Sequence, residues 1–524
     1  MIPKSKLYAY LQCVMRFSKL STRGSHTLLT LVVIFGFQTT STSIPFQDVS
    51  SLSLTRKDVY VSEQTTRQSE SHANTWEYLT QSGDTLEIIA ARFQVRLRDI
   101  EIYPKLPADQ LLDPGQILVI QRPGINSPMA ARLLPDSEVV YSPSTADFNT
   151  QDFVTSAGGY LSSHQEYMGS TGLTSAAEII ERVAVENSIH PRLLLALLEY
   201  QCGCVTGILE EGLDANDLMG VPDPFRKGLY RQLGWTVNQL SLGYYGWRQG
   251  LLQELVLMDG SAIPLPPDLN AGSVSIAYLF SRITDREGWY RAMNSEHGFI
   301  QLHKELFPAL WDAGIDEDEL FKSGLNQPAM ILPFQLEREW SFTSGPHQAW
   351  ETEGALAALD FAPASERYGC EPSAAWVLAV ADGLVVRSEH NALVLDLDGD
   401  GFEGTGWAVL YMHLADFQRV EEGAFLHRGD PVGHPSCEGG PADGTHVHLA
   451  RKFNGEWIAA GGPLPFVMSG WVAHAGYRPY DGSLTRGDRV VLANSLSPAA
   501  AFISRTNEDI LRDAKISRNL WWEE

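Results

Sequence analysis

The sequence predicts a multidomain α+β protein that contains a small βααβ unit, an α-helical unit and an antiparallel β unit. The chain has 524 residues, a length that corresponds to roughly three or four domains. Stretches rich in Ser, Thr and Gln at 46–75 and 124–172 are typical of linkers and divide the chain into segments. The apolar pattern changes from helical runs to short β-branched runs near residue 333, which predicts separate helical and β units.

Composition and charge exclude several classes of protein. Apolar residues make up 44% of the chain and charged residues 20%, as in folded globular proteins. The 39 Lys and Arg residues against 64 Asp and Glu residues give a net charge of −25. Because nucleic-acid binding needs a basic surface, this balance predicts that nucleic acid is not a partner.

Residues 1–45 have the features of an export signal. A short apolar run, LLTLVVIFGF at 28–37, follows several Lys and Arg residues and precedes small polar residues. The run is too short to cross a bilayer, which needs about 20 apolar residues. We therefore expect an exported protein, located outside the cell or in the cell envelope. An uncleaved N-terminal anchor is the alternative, and only in that case would the protein contact a membrane.

Residues 76–123 predict the small βααβ unit. WEYLT is typical of a first strand, and Asp84 or Thr85 can cap the half-apolar helix LEIIAARFQV that follows. A second short helix is expected around Arg98–Tyr103. The turn DPGQ then precedes a closing strand, ILVIQ.

The motifs SGDTL, IAARF and LDPGQILVI make this unit resemble a LysM domain. LysM domains bind glycans that contain N-acetylglucosamine, in peptidoglycan or chitin. The resemblance implies a glycan groove between the loop of Gly83, Asp84 and Thr85 and the loop near Leu111. Tyr103, or its neighbour, stands where the family usually has an Asn at the end of the second helix.

Residues 173–332 predict the helical unit. The run PRLLLALLEYQ is apolar nearly all round, which indicates a buried helix. NSIHPRLLLALLEYQ and NAGSVSIAYLF resemble helices of the lysozyme-like fold of lytic transglycosylases. The position of that family's general acid holds Gln201, which cannot protonate a glycosidic oxygen. We therefore expect a non-catalytic domain, with Glu199, Glu210 and Glu211 as the alternative carboxylates.

Residues 333–485 predict the β unit, in which strand-like runs such as GWAVLYMHL and THVHLARKF alternate with Gly and Asp turns. His446 and His448 lie two apart in one run, so a strand would point both to the same face. His413 lies in another run. Residues 486–524 form a C-terminal extension without a recognisable motif.

His347 and Asp360 precede these histidines in the chain and complete a set of metal-binding side chains. A carboxylate and two imidazoles with an open fourth position suit catalytic zinc. Bound Zn²⁺ would lower the pKa of its water to about 7 and polarise a carbonyl. The sequence therefore predicts a zinc hydrolase.

The elements GPH, YMHL and GTHVH, in this order, resemble the M23 family of zinc peptidases, which includes lysostaphin and the β-lytic endopeptidases. His347 and Asp360 are 13 positions apart, a spacing similar to the β-lytic branch. The resemblance implies that His347, Asp360 and His448 bind zinc. It also implies that His446 is the general base and that His413 contacts the tetrahedral transition state.

Cysteine usage fits export. Cys13 lies within the predicted signal, which leaves four cysteines. Cys370 and Cys437 lie in the β unit, and we expect them to form a disulfide. Cys202 and Cys204 are two apart, so a bond between them is expected to be strained.

Together these features predict an exported zinc metalloendopeptidase that binds peptidoglycan and cuts peptide bonds of its stems or crosslinks. The first alternative is a non-catalytic protein that binds the cell wall or activates another enzyme. The second is a glycan-cleaving enzyme that acts through the helical unit.

Overall fold

The computed structural model describes residues 75–519 except 104, 122–126, 128, 130–131, 222, 313–319, 365–368 and 372. The predicted export signal at 1–45 and the linker at 46–75 lie outside the described residues, apart from Thr75. All described residues belong to one unit that spans 65–524. No helix among them is both long and apolar enough to cross a membrane. Their mixture of helices and antiparallel sheets confirms the predicted multidomain α+β class.

The N-terminal unit, residues 75–121, is a three-stranded sheet with order β1-β3-β2 and one helix. Its elements are β1 Thr75–Leu79, α1 Leu86–Phe93, β2 Ile100–Glu101 and β3 Ile117–Gln121. Thr85 caps α1 by accepting a hydrogen bond from Ile88 N. The predicted second helix is wrong: a single 3₁₀ turn, Leu97–Asp99, leads into β2. Pairing with β3 buries Ile100 opposite Ile120, which favours a strand there.

The helical unit, residues 132–320, is built from helices joined by short loops and two hairpins. The helices are α2 Thr150–Ala157, α3 Ala176–Asn187, α4 Pro191–Cys202, α5 Leu229–Arg248, α6 Ala271–Ile283, α7 Arg286–Asn294, α8 Phe299–Leu306 and α9 Pro308–Asp312. The hairpin strands are β4 Gln165–Met168, β5 Gly172–Ser175, β6 Glu254–Val256 and β7 Ala262–Pro264. Ser175 begins α3 with a capping box to Glu178. Helix α4 is buried along most of its length, as its apolar sequence predicts.

The segment 124–172 is not a linker, contrary to the prediction. It contains α2, β4 and several 3₁₀ turns. Leu134, Val139, Val140 and Val154 are at most 1% exposed and belong to the core of the helical unit. The many Ser and Thr residues of this segment are typical of a linker, but in the structure their hydroxyls form local hydrogen bonds. Ser142 caps a 3₁₀ turn, and the Thr145 hydroxyl donates to Ser142 O.

The β unit, residues 330–519, contains a nine-stranded sheet with the path β14-β11-β12-β13-β16-β9-β8-β22 and β17 beside β16. A small second sheet has the order β18-β19-β20-β21. The strands and the last helix are β8 Glu339–His347, β9 Ala358–Pro363, β10 Val377–Leu378, β11 Gly383–Glu389, β12 Ala392–Asp396, β13 Trp407–Met412, β14 Phe425–Leu426, β15 Pro431–Gly433, β16 Val447–Phe453, β17 Glu456–Trp457, β18 Val467–Met468, β19 Trp471–Ala475, β20 Gly482–Arg486, β21 Arg489–Leu492, β22 Phe502–Ser504 and α10 Asn507–Asn519.

The large sheet is buried on both faces. Leu393 and Val409 pack into the core of the β unit, whereas their strand neighbours Val394 and Leu410 pack into the core of the helical unit. Side chains alternate between faces along a strand, so β12 and β13 contribute to both cores. The helical unit therefore lies against one face of the sheet.

The predicted boundary at residue 485 is wrong, because the C-terminal extension completes the β unit. β21 pairs with β20, and β22 pairs with β8 at the edge of the large sheet. Ile503 is 1% exposed and belongs to the core of the β unit. The extension thus covers a sheet edge that would otherwise present unpaired backbone groups.

Arg248, the last residue of α5, connects the three units. Its Nη1 donates a hydrogen bond to Ser82 O of the N-terminal unit. Its Nη2 lies 2.8 Å from Glu456 Oε2 in the β unit and 3.0 Å from Asp136 Oδ2 in the helical unit. The Arg248 side chain is 6% exposed, so water screens these charges little.

We expect Arg248→Met to lower the free energy of unfolding by about 3–5 kcal/mol, because it leaves Glu456 and Asp136 buried without their cation. Denaturant unfolding of the whole chain measures the change. Arg231→Met is the matched control, since Arg231 lies on the same helix but is exposed. Equal unfolding midpoints for the two variants would contradict the role of Arg248.

Candidate metal centre

Three strands of the large sheet bring His347, Asp360 and His448 together. β8 ends at His347, and the neighbouring β9 carries Asp360. β16 pairs with β9 so that His448 lies directly opposite Asp360. Directly opposed residues on antiparallel strands point to the same face, which places the carboxylate beside the imidazole.

The nitrogen and oxygen atoms of these side chains converge. His347 Nε2 lies 3.1 Å from His448 Nδ1, and each nitrogen lies 3.3 Å from Asp360 Oδ1. All three side chains are buried, with residue exposures of 4–7%. These atoms form a group that could hold a metal ion.

Backbone carbonyls set the tautomers of both histidines. His347 Nδ1 donates to Gly345 O at 2.8 Å, and His448 Nε2 donates to Ala349 O at 2.9 Å. The other nitrogen of each neutral ring therefore carries a lone pair, and the two lone pairs face each other. Asp360 Oδ1 is buried and makes no hydrogen bond within the described residues. Two imidazole lone pairs and a carboxylate oxygen in contact suit a zinc ion, so the residues fit the predicted metal.

The electrostatics of the site keep its carboxylate charged. Burial alone would raise the pKa of Asp360, but the charge of the nearby His347, together with the close contacts to His347 and His448, holds this pKa well below its ordinary value. Burial also opposes charge on His347, yet Asp360 raises its pKa overall. Burial lowers the pKa of His448. An ionised Asp360 beside a neutral His448 is the state that a divalent cation requires.

His413 and His446 lie beside this group. Their ring centroids are 4.4 Å apart, and His446 Nε2 lies 3.9 Å from Asp360 Oδ2. His446 Nδ1 donates to Gly444 O, and His413 Nδ1 donates to Glu438 O. Both rings therefore present an Nε2 lone pair when neutral. Burial, followed by the neighbouring His446 and His448, lowers the pKa of His413 to about 4.

Two grooves of about 440 and 840 Å³ reach Asp360 and His446 from the surface. Both include Ser344, Asp443 and Ser495 in their walls. The side chain of His446 is 15% exposed, whereas those of His347 and His448 are 5% and 8% exposed. A substrate can therefore contact His446 from solvent.

Two disulfides are present among the described residues. The predicted Cys370–Cys437 bond joins two loops of the β unit. Gly369 lies next to Cys370, and its carbonyl oxygen accepts a hydrogen bond from Thr445 N, next to His446. The disulfide therefore holds a loop that borders the site. Cys202 and Cys204 are also bonded to each other, although their spacing predicts strain.

The carboxylates of the helical unit do not form a comparable site. Glu199 accepts hydrogen bonds from Val205 N and from the backbone and hydroxyl of Thr206, so it holds the loop after α4. Glu210 and Glu211 are exposed. Glu199 thus holds the loop after α4, and the non-catalytic character of the helical unit stays a prediction.

Two of the residues predicted to bind glycan are buried inside the N-terminal unit. Asp84 is fully buried, accepts a hydrogen bond from the Tyr78 hydroxyl at 2.6 Å and pairs with Arg92 at 2.8 Å. Thr85 is 1% exposed and caps α1. The side chains of Asp84 and Thr85 therefore stabilise the loop internally, and the assignment of this loop to a glycan groove stays a prediction.

The other two predicted residues face the helical and β units. A Cβ placed on Gly83 would lie 3.5 Å from both Arg248 Nη1 and Phe321 Cε2. Gly83 and Leu111 line a cavity of about 180 Å³ whose lining also includes Pro463 and Leu464 of the β unit. Other parts of the same chain therefore partly cover the predicted glycan groove.

Sequence reasoning missed the groups that complete the metal centre. Gly345 O and Ala349 O are backbone atoms, so no side-chain pattern marks them. The Gly-Pro-His and HxH motifs mark the candidate metal-binding residues but not the carbonyls that orient them.

Two family models match the chain. The model described as the LasA N-terminal domain matches residues 132–320, and the LysM domain model matches residues 78–121. The predicted LysM domain is thus confirmed, with nearly the predicted bounds. The match to the LasA N-terminal domain begins at residue 132, within the segment 124–172 that the sequence predicts to be a linker. This start agrees with the folded structure of that segment. The lysozyme-like character of the helical unit stays a prediction.

Protease LasA of Pseudomonas aeruginosa, from two strains, is 24% identical to this chain over 326 residues, which is 56% of this chain and 70% of that protein. The M23 metalloprotease pseudoalterin shows 23% identity, with a TM-score of 0.27 over 32% of this chain and 95% of its own. The catalytic domain of lysostaphin from Staphylococcus simulans shows 20% identity, with a TM-score of 0.18 over 24% and 89%. The homology to Protease LasA confirms the predicted resemblance to M23-type peptidases.

We expect the isolated LysM domain to sediment with insoluble peptidoglycan or chitin more strongly than the whole chain does, because Arg248 and Phe321 cover Gly83 only in the whole chain. Leu111→Ser should weaken binding of the fragment. Ile117→Ser is the matched control, since Ile117 is 68% exposed on the sheet and away from that loop. Equal sedimentation of fragment and whole chain would show that the covered loops are not the glycan-binding surface.

Proposed function

We propose that this protein is an exported zinc metalloendopeptidase that hydrolyses peptide bonds in the stems or crosslinks of peptidoglycan. The observation that carries the proposal is the convergence of His347 Nε2, His448 Nδ1 and Asp360 Oδ1 at 3.1–3.3 Å, with both rings oriented by carbonyls. We assign these residues as the ligands of Zn²⁺. When bound, zinc supplies a Lewis acid that activates water and polarises the scissile carbonyl.

His446 is assigned as the general base. Its Nδ1 hydrogen bond to Gly444 O leaves the Nε2 lone pair toward the site, 3.9 Å from Asp360 Oδ2. A proton removed from the attacking water would be held at this nitrogen. The same nitrogen would then deliver the proton to the leaving amine.

His413 is assigned the role of stabilising the transition state. Its Nε2 donates a hydrogen bond only when that atom carries a proton, and burial favours the neutral ring in the resting site. Negative charge that develops on the substrate oxygen favours the protonated ring. His413 would therefore interact more strongly with the transition state than with the substrate, which is the condition for catalysis.

The choice of peptidoglycan as substrate is supported by two matches. A LysM domain in the same chain implies binding to glycan, and the homologous Protease LasA is a protease by name. Attachment to the wall would raise the local concentration of wall peptides around the metal centre. Two disulfides in the structure support an oxidising compartment and hence export.

Digestion of purified peptidoglycan, followed by mass spectrometry of the fragments, tests the proposal. A peptidase releases new amino groups, whereas a glycan-cleaving enzyme releases new sugar ends. The hydrogen bonds that occupy Glu199 argue against the second outcome. No fragments at all, with zinc bound, would indicate a wall-binding protein without activity.

Asp360→Ala should remove bound zinc and peptidase activity, because it removes the charged ligand between two neutral imidazoles. Zinc content of the purified variant is the measurement. The LysM domain should stay folded, since Asp360 makes no contact with it. Stoichiometric zinc in this variant would overturn the ligand assignment.

His446 and His448 should separate into general base and zinc ligand. His446→Ala should keep zinc and lose turnover by roughly 10²–10⁴-fold, as expected for a general base. His448→Ala should lose zinc, because two protein ligands are too few for a catalytic site. His413→Ala should keep zinc and lower kcat.

Zinc content and turnover are measured side by side for these variants, with His427→Ala as the control, since the His427 side chain is 77% exposed. If His446→Ala loses the metal while His448→Ala keeps it, the two roles are reversed.

A further inference from the structure

The connector 348–357 joins the strands that carry His347 and Asp360, and it packs against helix α5 of the helical unit. We propose that Asn238 on this helix is a positioning residue of the metal centre, because it holds the connector and thereby the geometry of His347 and His448. The inference rests on the proposed function, since it concerns the proposed zinc ligands. It assigns the helical unit an indirect part in zinc binding, through the connector.

Asn238 holds the connector at two points. Its Oδ1 accepts a hydrogen bond from Glu353 N at 3.0 Å, and its Nδ2 donates to Glu351 Oε2 at 3.4 Å. The same Nδ2 donates to Gly234 O at 2.9 Å, within α5. Asn238 is 3% exposed, so a broken hydrogen bond would leave a buried group without a partner.

Close packing reinforces these hydrogen bonds. Gly354 has φ = +119°, and a Cβ on it would lie 3.0 Å from the Cβ of Ser241 on α5. Only glycine adopts this backbone conformation without strain and allows so close an approach. Ala355 and Ala357 are 3% and 0% exposed in the core shared with the helical unit. The connector thus has one defined path across α5.

The start of the connector forms part of the metal centre. Ala349 O accepts the hydrogen bond from His448 Nε2 at 2.9 Å and so directs the Nδ1 lone pair toward Asp360. Trp350 lies 5.6 Å from the guanidinium of Arg387, which fixes this end of the connector on the sheet. A shift of the connector would displace both the carbonyl that orients His448 and the backbone that carries His347.

The expected effect follows from the number of intervening contacts. Groups that orient a ligand directly change metal affinity by about 10–100-fold when they are removed. Asn238 acts through the backbone between Glu353 and Ala349, one step further away. We therefore expect Asn238→Ala to weaken zinc binding by about tenfold, near the lower limit of that range.

The test uses the whole chain and measures zinc affinity by competition with a chelator, independently of activity. Visible absorption of the cobalt-substituted protein at saturating metal reports the ligand geometry. Asn238→Ala should show weaker zinc binding and altered cobalt bands. Thr236→Ala is the matched control, because Thr236 is equally buried on α5 but bonds only to Gln232 O of its own helix.

The outcomes separate this inference from the proposed function. If the unaltered chain binds no zinc, the proposed function fails. If it binds zinc and the folded Asn238→Ala variant matches it in affinity and cobalt bands, only the positioning role is overturned.

A conservative variant covers the case in which Asn238→Ala does not fold. Asn238→Asp retains the acceptor for Glu353 N but places a carboxylate beside Glu351, so it should also weaken zinc binding. Unaltered zinc affinity in folded Asn238→Asp, or equal losses in Thr236→Ala, would likewise overturn the inference.

Discussion

The alternation of side chains along β16 determines how the protein is assembled. His448, Ala450 and Lys452 point to one face of the large sheet, and Val447 and Leu449 point to the other, while His446 lies immediately before the strand. Ala450 belongs to the core of the helical unit, and Lys452 Nζ lies 3.2 Å from Ser188 Oγ of that unit. The candidate metal centre and the contact with the helical unit therefore share one face, and a change in the register of this strand would disrupt both.

This shared face explains why the units are not independent modules joined by linkers. The connector between His347 and Asp360 runs along α5, and Arg248 at the end of the same helix binds both the LysM domain and the β unit. Helix α5 thus contacts the connector between His347 and Asp360 near its middle and the other two units at its end. Multiple buried polar contacts on one rigid element favour a single relative arrangement of the units.

The position of the LysM domain has a consequence for glycan binding. Its loop at Gly83 is held by Arg248 and Phe321, and Leu111 faces a cavity bounded by the β unit. Gly83 and Leu111 are partly covered by other parts of the chain, whereas the grooves at His446 are open to solvent. The predicted glycan-binding loops and the candidate metal centre are therefore lined by different residues of the molecule.

The candidate catalytic and metal-binding residues could be predicted from the sequence alone. The HxH spacing placed His446 and His448 on one strand face, and the LysM motifs located their domain almost to the residue, because both depend on local periodicity. Only the tertiary structure decided how those residues are supported and covered. The carbonyl of Ala349 that orients His448, the amide of Asn238 and the guanidinium of Arg248 act across long sequence separations. The polar segment 124–172 likewise becomes core because its few apolar residues meet distant helices, and no local pattern encodes such contacts.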